Sequence, residues 1–189
     1  MTIKKRAVLL ASGSGSLGQS IIDAVNHNVL SLDVVALISD KESMALERAR
    51  TNKIPGFYLP LGPDREEWNR DLFELVESLR PDVVISVGFM RILSEKFVLT
   101  FKTINTHPAL LPLFPGAHAV RDALAARATE TGSTIHWVDK GVDTGPILDQ
   151  VRVPIRESDD ESSLHERIKI AERILVVETL AKLLTTGVI

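Results

Sequence analysis

The 189-residue chain has no cysteine, which excludes disulfides, thiolate zinc sites, iron–sulfur clusters and a cysteine nucleophile. A basic excess is missing too: 22 Lys and Arg face 25 Asp and Glu, for a formal charge of −3. Nucleic-acid and anionic-membrane surfaces normally carry such an excess, so neither partner is expected. Long apolar runs are absent. The first one, Ala7 to Ala11, is too short for a signal peptide, and no segment approaches the roughly 20 apolar residues that span a bilayer. A cytoplasmic location is therefore expected. There is no internal repeat, low-complexity tract or linker.

The composition that remains, 44% hydrophobic and 25% charged, is that of an ordinary globular domain. At this length roughly 70% of the unfolded chain's surface can be buried, enough for one core without staples, so residues 1–189 are read as a single domain. Residues 6–11 form an apolar run ending in Ser12-Gly13-Ser14-Gly15-Ser16, and helix-spaced Leu17, Ile21 and Val25 follow. Residues 32–39 read as a second strand, and residues 41–52 as a helix with Met44, Ala45 and Ala49 on one face. A brief strand at 55–59 precedes a helix capped by Asp64 and running to Leu79, with Trp68, Leu72, Leu75 and Val76 inward. Residues 82–87 have the continuous apolar character of a strand buried on both faces. This alternation predicts an α/β fold with a doubly wound, mostly parallel sheet. Further on come a short helix at 94–99, a strand at 103–105, a proline-rich loop at 108–116, a helix at 118–127, two late strands at 133–138 and 146–153, and one long helix at 159–184.

Gly13-Ser14-Gly15-Ser16-Leu17-Gly18 fits G-x-G-x-x-G between a strand and a helix, with Asp40 ending the second strand. That pattern suits a dinucleotide. It suits a monophosphate equally, because the binding groups are free backbone N–H groups at a helix N-terminus, here helped by the hydroxyls of Ser12, Ser14 and Ser16. Downstream, Asn105 and His107 lie two apart in a strand and so point to the same side, at the carboxyl end of the sheet where open α/β folds place ligands. A second cluster, Asp139-Lys140-Gly141-Val142-Asp143-Thr144-Gly145-Pro146, makes a shaped loop in which Asp143 is expected to turn inward. His118 and His136 are expected to be structural or to support other groups, His136 because it lies within an apolar strand.

NTHPALLP, then FPGAH, then HWVDKGVDTGP, together with GFMRIL at residues 88–93 and the SGSGS loop, resemble the 10-formyltetrahydrofolate-dependent formyltransferase and hydrolase superfamily, whose pattern is N-x-H-P-S/A-L-L-P with a later D-x-G-P. The resemblance runs from about Ala7 to the C-terminal helix. It implies a Rossmann-like fold with a C-terminal antiparallel strand region and a long final helix. By this resemblance Asn105, His107 and Asp143 are catalytic, 10-formyltetrahydrofolate is the co-substrate, and no metal is needed. The purine-biosynthetic branch further implies transfer of the formyl group to the amine of glycinamide ribonucleotide. Its phosphate would lie on Ser12, Gly13, Ser14, Gly15 and Ser16, and its ribose on Glu172. The folate would lie against Met90, Arg91, Ile92 and Leu93 and against Asp139, Lys140, Gly141 and Val142, with Arg65 near its carboxylate tail. A cis bond at Leu111-Pro112 is also implied, and the oligomer would be a monomer or homodimer.

The chemistry of the three catalytic candidates agrees with these roles. Asn105 offers a neutral N–H donor to the formyl oxygen. His107 can stabilise that oxygen or carry a proton, and Asp143 can orient His107 and relay the proton to the leaving nitrogen. One departure from the family's S-G-x-G-S-N-L-Q pattern is Leu17-Gly18 in place of Asn-Leu, which puts a side-chain role at position 17 in doubt. Two other readings stand beside this one. A formyltetrahydrofolate hydrolase has similar groups but an added N-terminal domain. A small NAD-binding domain would explain the glycine loop and Asp40 but leave Asn105, His107 and Asp143 without purpose.

Overall fold

The computed structural model describes residues 4–189. In chain order the elements are β1 (Lys5–Ala11), α1 (Ser16–Asn26), β2 (Leu32–Ser39), α2 (Met44–Thr51), β3 (Gly56–Tyr58), α3 (Arg65–Leu79), β4 (Val83–Ser86), α4 (Glu95–Thr100), β5 (Thr103–His107), α5 (Ala119–Ala125), β6 (Glu130–Trp137), β7 (Ile147–Pro154) and α6 (Glu161–Thr185). The strands make one sheet in the order β3-β2-β1-β4-β5-β6-β7. β1 to β5 are parallel, and β6 and β7 run antiparallel. This is the doubly wound architecture expected from the alternation of strand and helix patterns.

β1 shows why the strands are apolar throughout. Its Ala7, Leu9 and Ala11 face a core shared with α1, α2 and α6, while Val8 and Leu10 face a second core built with α3 and α4. Each buried Leu stabilises by roughly 1.5–3 kcal/mol relative to exposure, so a strand buried on both faces carries little polar character. α3 starts where Asp64 accepts hydrogen bonds from Glu66 N (2.8 Å) and Glu67 N (3.1 Å), and it ends at Arg80 in the left-handed conformation before Pro81. α6 is opened by a capping box between Asp160 and Ser163.

Two boundaries move for identifiable reasons. Residues 40–43 form a turn in place of the first helical turn, because Ser39 Oγ donates to the Lys41 carbonyl (2.7 Å) and contacts Ser43 Oγ (3.1 Å). Met44 consequently faces solvent, 59% exposed, and only Ala45 and Ala49 turn inward. β5 continues to His107, because Asn105, Thr106 and His107 pair with His136, Ile135 and Thr134 of β6. Leu17 is buried in the core, and Gly18 lies over β1 and β4 with Val87 Cγ2 at 3.5 Å from a Cβ position. Position 17 therefore packs the fold instead of facing a ligand. The Leu111-Pro112 bond is cis.

Candidate active site

Strand order reverses between β1 and β4, and the crevice at such a reversal is where open α/β sheets bind ligands. The loops leaving these two strands are tied together there: Ser12 N donates to the Gly88 carbonyl (3.1 Å), and Ser12 Oγ accepts from Met90 N (2.8 Å). The chain then enters α1 through Gly15, at φ 67°, with no side-chain cap and no acidic residue in the first turn. A Cβ at Gly15 would lie 2.7 Å from Ala45 Cα, so glycine is required both by the backbone angle and by the approach of α2. Arg48 Nε donates to the Ser14 carbonyl (2.9 Å) and pins the loop from the same helix. The result is a helix N-terminus with an unopposed positive end, suited to a phosphate.

Asn105 and His107 lie on the side of β5 opposite core-facing Ile104, and the loop between β6 and β7 brings Asp143 against His107. Ser86 Oγ donates to Asn105 Oδ1 (2.7 Å), which turns the carboxamide NH2 toward His136 Nε2 (3.2 Å) and leaves its second N–H for a ligand. His107 is buried, with Nε2 at 2.8 Å from the Phe114 carbonyl and Nδ1 at 3.3 Å from Asp143 Oδ2. Both ring nitrogens thus face acceptors. Asp143 adopts a left-handed backbone at φ 55°, and its Oδ2 also accepts from Gly116 N (2.8 Å). Its Oδ1 lies 3.5 Å from His136 Nε2. Burial pushes the Asp143 carboxyl up, but hydrogen bonding from His136, the Gly116 amide and the charges of the two imidazoles outweigh it. The carboxyl is held below its usual range.

The loop that delivers Asp143 is shaped by contacts that tolerate no side chain. Asp139 Oδ1 accepts from Gly141 N (2.9 Å) and Thr144 Oγ1 (2.7 Å). A Cβ on Gly145 would fall 1.8 Å from the Trp137 carbonyl oxygen, and one on Gly141 2.0 Å from Thr144 Oγ1. Beside the Asn105–His107–Asp143 cluster opens a pocket of about 300 Å³, walled by Phe89, Met90, Arg91, Ile92 and Leu93 on one side and by Val138, Asp139, Gly141 and Val142 on the other. Lys140 is exposed and is not among the lining residues. A second groove runs on from Met90–Leu93 to Arg65. Arg65 donates to the Ile92 carbonyl and lies 4.7 Å from the Trp68 ring centroid, so it is held at the groove instead of being solvated.

Asp40 and His136 have partners that the sequence did not indicate, and Glu172 is found buried. Asp40 does not stand free as a dinucleotide-binding acid must: its Oδ2 pairs with Arg91 Nε at 2.6 Å, and its side chain has no exposed surface. That removes the feature on which an NAD-binding reading depends. Glu172 is buried against the sheet with Oε1 accepting from Ser133 Oγ (3.0 Å), and burial pushes its carboxyl up. His136 is more than a filler of an apolar strand. Its Nδ1 donates to the Trp137 carbonyl (2.9 Å), and Asn105 and Asp143 compete for its Nε2. Without a proton there it accepts from Asn105, and with one it donates to Asp143. Ser86 and His136 were both missed as site residues, since only the cross-strand pairs Ser86–Asn105 and Asn105–His136 bring them in. His118 is exposed at the start of α5.

Comparison with known proteins agrees with this geometry. Phosphoribosylglycinamide formyltransferase of Mycobacterium tuberculosis is 48% identical over 187 residues, 97% of this chain and 86% of that protein. The trifunctional purine biosynthetic protein adenosine-3 of Drosophila pseudoobscura pseudoobscura is 41% identical over 191 residues, 97% of this chain and 14% of that much longer protein. Among solved structures, glycinamide ribonucleotide transformylase 1 from Symbiobacterium toebii superposes with a TM-score of 0.94 at 33% identity, covering 99% of this chain and 90% of that one. The family model described as formyl transferase matches residues 5–180, from β1 into α6, and the chain belongs to the formyl transferase family.

Proposed function

We propose that this protein, acting through one catalytic domain, transfers the formyl group of 10-formyltetrahydrofolate to the amine of glycinamide ribonucleotide. The observation that carries the reading is the convergence of Asn105, His107 and Asp143 at the pocket wall. The loop at residues 12–16 is tied through Ser12 to Gly88 and Met90 at the edge of that pocket, and the cavity is of a size for a bicyclic ring.

The substrate amine attacks the formyl carbon, the new C–N bond forms, and the carbonyl electron pair moves onto oxygen. The free N–H of Asn105, whose carboxamide is oriented by Ser86, stabilises that oxygen. A donor of this kind is worth ~3–4 kcal/mol of barrier lowering. His107, fixed between Asp143 and the Phe114 carbonyl, helps stabilise that oxygen. The attacking nitrogen must lose a proton, and the folate nitrogen must gain one as its bond to carbon breaks. Asp143, ionised at neutral pH because its carboxyl is held low, accepts and relays that proton, directly or through a water. Ser12 to Ser16 hold the phosphate, Glu172 the ribose hydroxyls, and Arg65 the carboxylate tail of the folate. The reading agrees with a location in the cytoplasm, and among the described residues no helix is long and apolar enough to cross a membrane.

The test is formyl transfer from 10-formyltetrahydrofolate to glycinamide ribonucleotide, with water as sole acceptor in the control. Amine-dependent release of tetrahydrofolate is expected. Equal release without the amine would make the protein a hydrolase, and tight NADH binding with no response to a folate analogue would overturn the assignment.

A further inference from the structure

The acidic residue after β2 has no part in the chemistry above, yet it is held at some cost. Asp40 Oδ2 accepts from Arg91 Nε at 2.6 Å, while Oδ1 is buried with no hydrogen-bond partner among the described residues. A buried carboxylate that is half satisfied is unfavourable to keep. Its one partner, Arg91, belongs to the strap at residues 88–94, which has no helical or strand bonding of its own.

Besides the Gly88 carbonyl that Ser12 N reaches, four contacts hold the strap. Met90 N reaches Ser12 Oγ, Phe89 stacks on Trp68 with centroids 6.2 Å apart, Arg65 donates to the Ile92 carbonyl, and Arg91 reaches Asp40. Between the anchors, the main-chain N–H and C=O groups of Arg91 and Leu93 have no hydrogen-bond partner among the described residues, and both residues line the pocket. Free main-chain donors and acceptors on a pocket wall read a flat heterocycle only if the wall is held still, since ordering a loose segment at binding weakens affinity.

We propose that Asp40 and Arg91 form a latch that positions the folate wall: the ion pair draws the Arg91 side chain toward the end of β2 and turns the main chain of residues 91–93 to the pocket. The proposal rests on the folate reading of that pocket. Arg91 and Asp40 are positioning residues, and their effect falls on the folate, because the strap and not the phosphate loop carries Arg91.

Asp40→Asn keeps the shape and removes the charge, and Arg91→Gln removes the partner at a site 28% exposed. The single variants and the double variant are titrated with 5,8-dideazafolate, which has no formyl group to transfer, and their KM values for both substrates are measured. Each single variant is expected to bind the analogue at least ~10-fold more weakly, with the double variant within about twofold of the worse single one, as for two residues acting through one bond. In Asp40→Asn, the KM for the ribonucleotide and kcat stay within about threefold of wild type. Arg91→Lys, which keeps the charge, recovers part of the loss. Fully additive losses, wild-type affinity in either single variant, or an equal rise in ribonucleotide KM would overturn the latch. If Asp40→Asn melts below the assay temperature, Arg91→Gln and Arg91→Lys decide. Failure of the wild-type protein to bind the analogue refutes the folate reading itself, whereas wild-type binding with unaffected variants refutes the latch alone.

Discussion

Asp143→Asn separates the chemical role of this carboxylate from its structural one. Asp143 Oδ2 accepts from Gly116 N and faces His107, and Oδ1 faces His136. An asparagine there keeps the shape but must point its NH2 one way or the other. Toward Gly116 it opposes donor to donor, and toward His136 it still leaves His107 Nδ1 without a carboxylate. Loss of the proton acceptor costs ~10²–10⁴-fold in rate, so kcat should fall by at least ~10²-fold while both KM values stay within about threefold. The structural cost is one unpaired buried donor, ~1–3 kcal/mol, which at ~2–4 °C per kcal/mol for a chain of this size lowers Tm by about 2–12 °C. The pH dependence supplies an independent check. Because the folded carboxyl is held below its usual range, its stabilising contribution is present above the unfolded value of about 4 and is lost as pH falls through the folded value. The Tm difference between wild type and variant should therefore shrink from about pH 7 to about pH 3. Formyl transfer followed by folate absorbance, with melts across that range, measures both. A kcat within threefold of wild type, or a Tm gap that does not change with pH, would refute the reasoning.

Two further outcomes follow from the phosphate loop and from α6. Gly15→Ala forces a Cβ to 2.7 Å from Ala45 Cα at a left-handed backbone angle, so it should raise the ribonucleotide KM more than ~10-fold with folate binding retained, and inorganic sulfate should compete with the ribonucleotide in wild type only. Glu172→Gln should raise Tm by about 2–4 °C near pH 8 while raising the ribonucleotide KM. Burial holds this carboxyl above its usual range, so ionising it destabilises the folded chain; that penalty is absent at low pH and grows as pH rises. A calorimetric Tm that falls in the variant at pH 8 would contradict this.

The fold was legible wherever local pattern and tertiary position agree. Asp64 caps α3 as its position before an apolar-periodic stretch indicates, and Trp68, Leu72 and Val76 are buried as their spacing requires. Asn105 and His107 were placed on one side by the two-residue period of a strand, and the β6 pairing keeps them there. Met44 was misread because helix periodicity cannot detect the Ser39–Lys41–Ser43 turn that moves the helix start. Ser86 escaped notice, and the partners of His136 could not be named, for a different reason. Their role comes from cross-strand register, and the antiparallel placement of β6 beside β5 joins residues 31 apart in sequence, Asn105 and His136. Asp40 fitted a dinucleotide fingerprint because the spacing of a motif says nothing about which arginine a distant loop will bring to it.

α6 seals the same core as β1, with Val176, Leu180 and Leu183 joining Ala7, Leu9 and Ala11, and it also carries Glu172. A chain leaving the ribosome releases the loop at residues 12–16 long before this helix. Until α6 docks, the apolar face of β1 remains wet and, on the proposed reading, the ribonucleotide site lacks the Glu172 carboxylate. Nascent chains stalled before α6 should thus be substrates for chaperones and inert toward glycinamide ribonucleotide.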